Sequence, residues 1–426
     1  MRILVRNAKI IQGDRTETGV DLLIRDGLIV SMGRGIIENE ADTIIDATGL
    51  YALPGLVDAH CHLRDPGFEY KEDIETGTMS AAKGGFTSIA CMPNTNPPVD
   101  NAAVVRYIVE KASQKGVVNV YPIGAITKGL QGSELSEMGT LKEAGIVAVS
   151  DDGKPVMNGD VMKKAMIYAG QFGLPVISHC EDVNIADGGS MNEGFVSTLL
   201  GLRGIPSAAE AVMVAREIIL SEYTGVPVHI AHVSTKTSVE LIRHAKRRGV
   251  RVSAETCPHY FTLTEKSCLG YDTNAKMNPP LRSEEDRDAV IEGLKDGTIE
   301  IIATDHAPHH DDEKNVEFEK AANGIVGFET ALALGYTYLV EQGHLTLPEL
   351  IRKMTVNPAR MLRIDKGTLE CGKAADLILV DFDNEYAIDV SNFASKSRNS
   401  PFNGFRVKGR VKTTIVNGRI VWSESM

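Results

Sequence analysis

From residue 50 to about 310 the chain alternates short apolar runs with longer amphipathic stretches. The runs are Leu53 to Ala59, Phe86 to Cys91, Val117 to Ile126, Ile146 to Val149, Leu174 to Ile177, Val226 to Ala231, Val250 to Ala254 and Ile299 to Ala303. Each has the length and content of a buried strand. The stretches between them, such as Ala102 to Lys115, Val161 to Phe172, Ala208 to Tyr223, Ser238 to Arg248 and Glu284 to Lys295, place apolar residues at helical spacing. Most end in a glycine just before the next run (Gly85, Gly116, Gly145, Gly173, Gly225, Gly249, Gly297), as a helix C-terminus prefers for its left-handed residue. Eight such units predict an α/β fold of the (β/α)8 type, a TIM-like barrel. A doubly wound sheet also alternates this way but seldom needs eight regular units.

The ends of the chain follow a different period. Residues 1 to about 52 alternate apolar and polar positions (Ile3, Val5, Ala8, Ile10), with Asp26-Gly27 as a hairpin turn. Residues 367 to 426 do the same, with Asn417-Gly418 as a second turn. Both termini are therefore expected to join in one small β domain (1–52 and 367–426) beside a barrel of residues 53–366.

Composition narrows the function. A length of 426 residues with 43% hydrophobic and 24% charged residues is that of an ordinary globular protein with a sizeable core. A net charge of −12, with no basic block interleaved with aromatics, argues against nucleic acid and anionic membrane as partners. No signal peptide and no run of about twenty apolar residues is present, so a cytoplasmic location is expected. The six cysteines (Cys61, Cys91, Cys180, Cys257, Cys268, Cys371) lack Cys-x-x-Cys spacing and read as reduced, mostly buried thiols.

Chemistry in a (β/α)8 enzyme sits at the C-terminal ends of the strands. Strand one exits through His60-Cys-His62-Leu-Arg64, and two imidazoles at i and i+2 leave a strand on one face, where they can grip one divalent metal. Strand four exits through Asp151-Asp152-Gly-Lys154, five through His179-Cys180-Glu181, six through His229-Ile-Ala-His232, and eight through Asp305-His306-Ala-Pro-His309. A lone histidine at a strand end is usually structural, but five such exits on one rim supply the ligands that borderline metals such as zinc prefer. One or two metals per chain, and a metal-dependent hydrolase, are expected.

The order His-x-His, a strand-four ligand, His, His and a strand-eight Asp resembles the amidohydrolase superfamily. The segments His60-Cys-His-Leu-Arg64-Asp-Pro-Gly, Tyr70-Lys-Glu-Asp, Gly84-Gly-Phe-Thr, Met92-Pro-Asn94-Thr, Asn278-Pro-Pro-Leu-Arg282, Asp305-His-Ala-Pro-His309 and Gly327-Phe-Glu-Thr are similar to those of the long, class I dihydroorotases. The resemblance covers nearly the whole chain. It implies that His60, His62, His179, His232 and Asp305 ligate metal, and that Arg64, Asn94, Asn278 and His309 hold the substrate, with Asp305 doubling as proton shuttle. The implied reaction is reversible hydrolysis of dihydroorotate to N-carbamoyl-L-aspartate in pyrimidine synthesis. The resemblance also allows association with aspartate transcarbamoylase, and a homo-oligomer is expected.

Strand four departs from the common superfamily pattern, offering Asp152 where many relatives place a carbamylated lysine; Lys154 on the same face is the alternative bridge. Hydantoinases, dihydropyrimidinases and allantoinases are rival readings, whose substrates generally lack the ring carboxylate that Arg64 would pair with. A noncatalytic scaffold is another. Cys180, Cys61, His229 and Asp151 are expected to be structural, His306 and His310 are open, and residues 309 to 324 read as either a solvated connection or a lid.

Overall fold

The computed structural model describes residues 2–13, 15–36 and 41–424. Its eight barrel strands are Leu56–Cys61, Phe86–Cys91, Asn119–Pro122 with Gly124–Ala125, Val149–Ser150, Val176–Ser178, Val228–Ile230, Val252–Thr256 and Ile301–Ile302. All neighbours pair in parallel. Closure comes from backbone bonds of strand one to the exit of strand eight: Asp305 N donates to His60 O at 3.0 Å and His62 N to His306 O at 2.8 Å. The two segments that supply the first and last expected metal ligands are thus stitched together by the fold itself.

The first apolar run divides between two sheets. Tyr51–Pro54 pairs with Leu377–Asp381 outside the barrel, and the barrel strand starts at Leu56. Gly55 is the crossing point, where a Cβ would lie 2.2 Å from the Thr87 side chain, so only glycine lets the two layers approach. Six of the seven helix-ending glycines have positive φ, as at Gly225 (67°). Gly116 is the exception, in extended backbone with φ −74°.

The strands from both termini form one eight-stranded sheet, in which Arg2–Gln12 lies between Arg15–Arg25 and Tyr51–Pro54, and Leu377–Asp381 pairs with Arg410–Val416. Asp26-Gly27 and Asn417-Gly418 both take the left-handed pair of a tight hairpin turn, with φ of 52°, 82°, 48° and 72°. Between the C-terminal strands the chain returns to the barrel: Asn399 Nδ2 donates to Ala307 O and Gly324 O, each at 3.0 Å. The excursion is held by apolar burial too, with Ile388, Phe393, Phe402 and Val407 in one cluster with Ile325, Val326 and Leu334.

Residues drawn from most of the strands, Val57, Ala59, Ala90, Ile123, Ala148, Ile177, Ile301 and Ala303 among them, fill the barrel interior as one apolar cluster. A larger cluster lies between strands and helices. No helix among the described residues is long and apolar enough to cross a membrane. All six cysteines are unpaired; five are buried and Cys371 is exposed.

Candidate metal centre and substrate pocket

The rim of the barrel brings His60, His62, Asp152, His179, His232 and Asp305 together. His60 Nε2 stands 3.4 Å from Asp152 Oδ1 and 3.5 Å from Asp305 Oδ1. His62 Nε2 is 3.1 Å from Asp305 Oδ1 and 3.6 Å from Asp152 Oδ2. On the other side His179 Nδ1 is 3.6 Å, and His232 Nε2 3.8 Å, from Asp152 Oδ1. The triples His60, Asp152, His232 and His60, His62, Asp305 each bring their ligand atoms within 4.8 Å of one another.

His62 Nε2 with Asp305 Oδ1 at 3.1 Å, and His179 Nδ1 with His232 Nε2 at 2.8 Å, are at hydrogen-bond distance, and the remaining separations suit a divalent ion better. With bonds of about 2.0–2.2 Å at tetrahedral angles, two ligands of one ion lie about 3.3–3.6 Å apart, whereas good N–H···O bonds are near 2.9 Å. Buried His60 Nε2 and Asp152 Oδ1, which face each other across 3.4 Å, find no hydrogen-bond partner among the described residues. Such atoms are costly to bury and mark a place where a cation completes the structure. Backbone strain gathers at the same rim, with φ of 33° at His232, 46° at Asp305 and 60° at Arg64. Each costs on the order of 1–3 kcal/mol.

Charge is arranged to match. Burial opposes ionisation of Asp152 and Asp305, but the neighbouring imidazoles, His60 foremost, overcome it and hold both carboxyls below their usual range. Burial likewise opposes a charge on His179, which hydrogen bonding to Asp152 and Glu181 raises to about 10. In the chain alone His60 and His179 therefore draw protons that a metal would displace.

Supporting contacts orient the rings. His62 Nδ1 lies 2.9 Å from Asn94 Oδ1 and donates to it, which leaves the His62 Nε2 lone pair facing Asp305. Asn94 Nδ2 is also 3.3 Å from Asp152 Oδ2. Glu181 Oε2 lies 3.4 Å from His179 Nε2 and accepts from Asn278 Nδ2 at 3.0 Å. Glu181 is named at the exit of strand five in the sequence but given no role there, although its place two residues after His179 was a usable signal. Glu255, 2.7 Å from His60 Nδ1, and Asn399 escaped the sequence reading. Glu255 lies inside strand seven rather than at its exit, where buried His259 follows and was passed over as well, and Asn399 lies far along the chain.

Arg64, Asn94, Asn278 and His309 line one cavity of about 190 Å³ with His62, Asp152, His179, His232 and Asp305. His309 Nε2 is 2.8 Å from the Asn323 carbonyl and donates there, so the Arg64 Nη2 beside it at 3.2 Å is a second donor. Burial and the cations Arg64 and Lys71 keep His309 well below its ordinary pKa, hence neutral. Arg64 is anchored through Nε to Pro308 O at 3.1 Å, which leaves its terminal nitrogens available to an anion.

The other candidates fall outside the cavity. Lys154 is exposed. Asp151 accepts from Ile126 N at 2.8 Å and Thr127 N at 3.0 Å, a loop brace. His306 stacks on Phe328 with centroids 4.0 Å apart, and its Nδ1 accepts from Gly327 N. His310 caps the short helix Asp311–Lys314. Cys61 Sγ contacts Ala90 O, and Cys180 Sγ contacts Ser178 Oγ. The 309–324 segment is packed rather than merely solvated, with Lys314 and Phe318 buried.

Comparison with known proteins agrees with this geometry. A family model described as dihydro-orotase-like matches residues 49–238, and one described as the amidohydrolase family matches residues 219–422. The dihydroorotase of Acetivibrio thermocellus is 63% identical, covering 100% of both chains. That of Ruminiclostridium cellulolyticum is 60% identical over 98% of each. Among solved structures, an L-hydantoinase (dihydropyrimidinase) from Arthrobacter aurescens superposes with a TM-score of 0.89 at 28% identity, over 99% of this chain and 96% of that one. On full-length identity of this order, the chain belongs to the dihydroorotase family of the amidohydrolases.

Proposed function

We propose that this chain catalyses the metal-dependent, reversible hydrolysis of dihydroorotate to N-carbamoyl-L-aspartate, with zinc as the metal. The observation that carries the reading is the placement of Arg64 in the same small cavity as the imidazole and carboxylate cluster. Family membership supports it: the relatives at 63% and 60% identity are dihydroorotases, whereas the hydantoinase shares the fold at 28%.

The residues that would hold metal are His60, His62, Asp152, His179, His232 and Asp305. Bound there, a metal supplies Lewis acidity and lowers the pKa of water. Arg64 binds the ring carboxylate through paired charge-assisted hydrogen bonds, and Asn94, Asn278 and His309 complete the orientation of the ring. Hydrolysis adds a water oxygen to the ring carbonyl carbon and breaks its bond to nitrogen. Asp305, kept ionised by its neighbours, takes a proton from that water and returns it to the departing ring nitrogen. Ring closure runs the same steps backwards.

Assay of dihydroorotate beside dihydrouracil and hydantoin tests the reading. Dihydroorotate should be strongly preferred, and equal efficiency on dihydrouracil would replace this reading by a dihydropyrimidinase. Metal analysis of protein purified without chelator should find zinc at one or two ions per chain. A cytoplasmic location, self-association, and association with aspartate transcarbamoylase belong to the same proposal. Sedimentation of the chain alone and mixed with that enzyme tests the last two.

A further inference from the structure

Barrel interiors are usually filled by branched apolar side chains, and this one departs from that along strands six and seven. His229 stands in register with Ile177 of strand five and with Ser253 of strand seven, while Glu255 stands in register with Ile301 of strand eight. Paired residues on neighbouring strands share a face. The three polar side chains therefore point inward with Ile177 and Ile301, both members of the interior apolar cluster. His229 is 1% exposed and Glu255 is 0% exposed. Burying a carboxylate and an imidazole there costs stability relative to leucine or isoleucine, so a compensating role is called for.

Their contacts form a directed chain that ends on the metal centre. Ser253 Oγ is 2.8 Å from His229 Nδ1, His229 Nε2 is 3.1 Å from Glu255 Oε2, and Glu255 Oε1 is 2.7 Å from His60 Nδ1. With neutral rings these contacts admit one arrangement of protons. A carboxylate only accepts, so His229 donates through Nε2–H and His60 through Nδ1–H, and the Ser253 hydroxyl donates to His229 Nδ1. His60 must then carry its lone pair on Nε2, the atom that faces both Asp152 and Asp305. His60 is also the residue shared by the two ligand triples, so its ring angle bears on both.

We infer that Glu255, braced by His229, is a positioning residue that fixes the tautomer and ring angle of His60 for metal binding. The inference rests on the proposed role of His60 as a metal ligand. Carboxylates that orient a ligating imidazole in this way change metal affinity by about 10- to 100-fold when removed.

The test measures zinc affinity by competition with a chromogenic chelator, and the visible absorption of the cobalt-loaded protein. Glu255→Leu suits the apolar interior and should weaken zinc binding by about 10- to 100-fold and alter the cobalt spectrum. Glu255→Gln can still accept from His60 once His229 takes its other tautomer, and should recover most of that loss. His229→Leu should weaken zinc binding by a smaller factor, and His229→Gln, which keeps a donor for Glu255, should restore it. Parental zinc affinity and spectrum in folded Glu255→Leu overturn the inference. If that variant does not fold, equal zinc affinities in His229→Leu and His229→Gln overturn it instead. His60→Ala separates the two levels: parental zinc affinity there overturns the metal assignment and the inference with it. Loss in His60→Ala beside parental affinity in Glu255→Leu overturns the inference alone.

Discussion

On the proposed function, Arg64 is the residue on which substrate choice turns. A guanidinium beside a metal centre would be repelled, yet Arg64 is held there by a carbonyl on its Nε and faces a neutral His309. A ligand carboxylate resolves the excess of positive charge. Arg64→Ala removes a charge-assisted pair worth on the order of 1.5–3 kcal/mol, so the KM for dihydroorotate should rise about tenfold to a hundredfold or more. Steady-state kinetics check it, and an unchanged KM would remove Arg64 from substrate recognition. At strand four the short side chain of Asp152 lies within 3.4–3.8 Å of four histidine rings, those of His60, His62, His179 and His232, whereas Lys154 is exposed. Asp152→Ala should sharply lower metal content and rate, and Lys154→Ala should leave both near parental. Metal analysis and assay in added bicarbonate decide between them, since a carbamate on Lys154 would respond to bicarbonate.

At the scale of elements, the loops that carry the site are fixed by close backbone approach and by one buried cation. Gly67 has φ 95°, and a Cβ there would fall 2.0 Å from Asn96 O, so the loops after strands one and two touch through bare backbone. The 309–324 segment is tied down by Lys314, whose Nζ donates to Ala322 O at 2.7 Å, Gly324 O at 3.1 Å and Lys276 O at 3.3 Å. Burial, and then repulsion from Lys276, lower the Lys314 pKa from 10.5 to about 7. Between those values an unfolded chain holds a proton that the folded chain lacks, so the contribution of this site to stability rises as pH rises from 7 to 10.5. The stability of the parent relative to Lys314→Met should therefore improve over that window, on the order of a few kcal/mol. Chemical denaturation of both proteins at several pH values measures it; a flat difference would show that Lys314 is charged and well satisfied throughout.

For the whole molecule, the apolar clusters inside and around the barrel are independent of the rim. Metal removal by a chelator should leave far-UV circular dichroism unchanged and abolish activity. It should also lower the melting temperature by several degrees, because an ion bound only by the native state stabilises it by mass action. Zinc should restore both. Loss of secondary structure on chelation would show instead that the rim clasp between strands one and eight depends on the ion. The two termini share one sheet, and Asn399 from the C-terminal region braces the loop that carries His309, through Ala307 O and Gly324 O. The cavity lined by His309 is thus braced from the C-terminal region of the chain.

Period and spacing by themselves determined the eight strand-and-helix units, the two hairpin turns and the histidine and aspartate exits, because burial of alternate or every third to fourth residue is a local demand. They also placed Asp152 and the His60, His62 pair at strand ends, since a strand exit is defined by where an apolar run stops. Only the tertiary structure decided that Leu53 and Leu56 belong to different sheets, for the division at Gly55 depends on the approach of Thr87 from the next strand. It alone brought Asn399 to the strand-eight loop and Glu255 to His60, 195 residues apart, because polar contacts between distant segments leave no period in the sequence. His229 was legible as structural on its strand, but its partners Ser253 and Glu255 follow from strand register, which is set by the closure of the whole barrel.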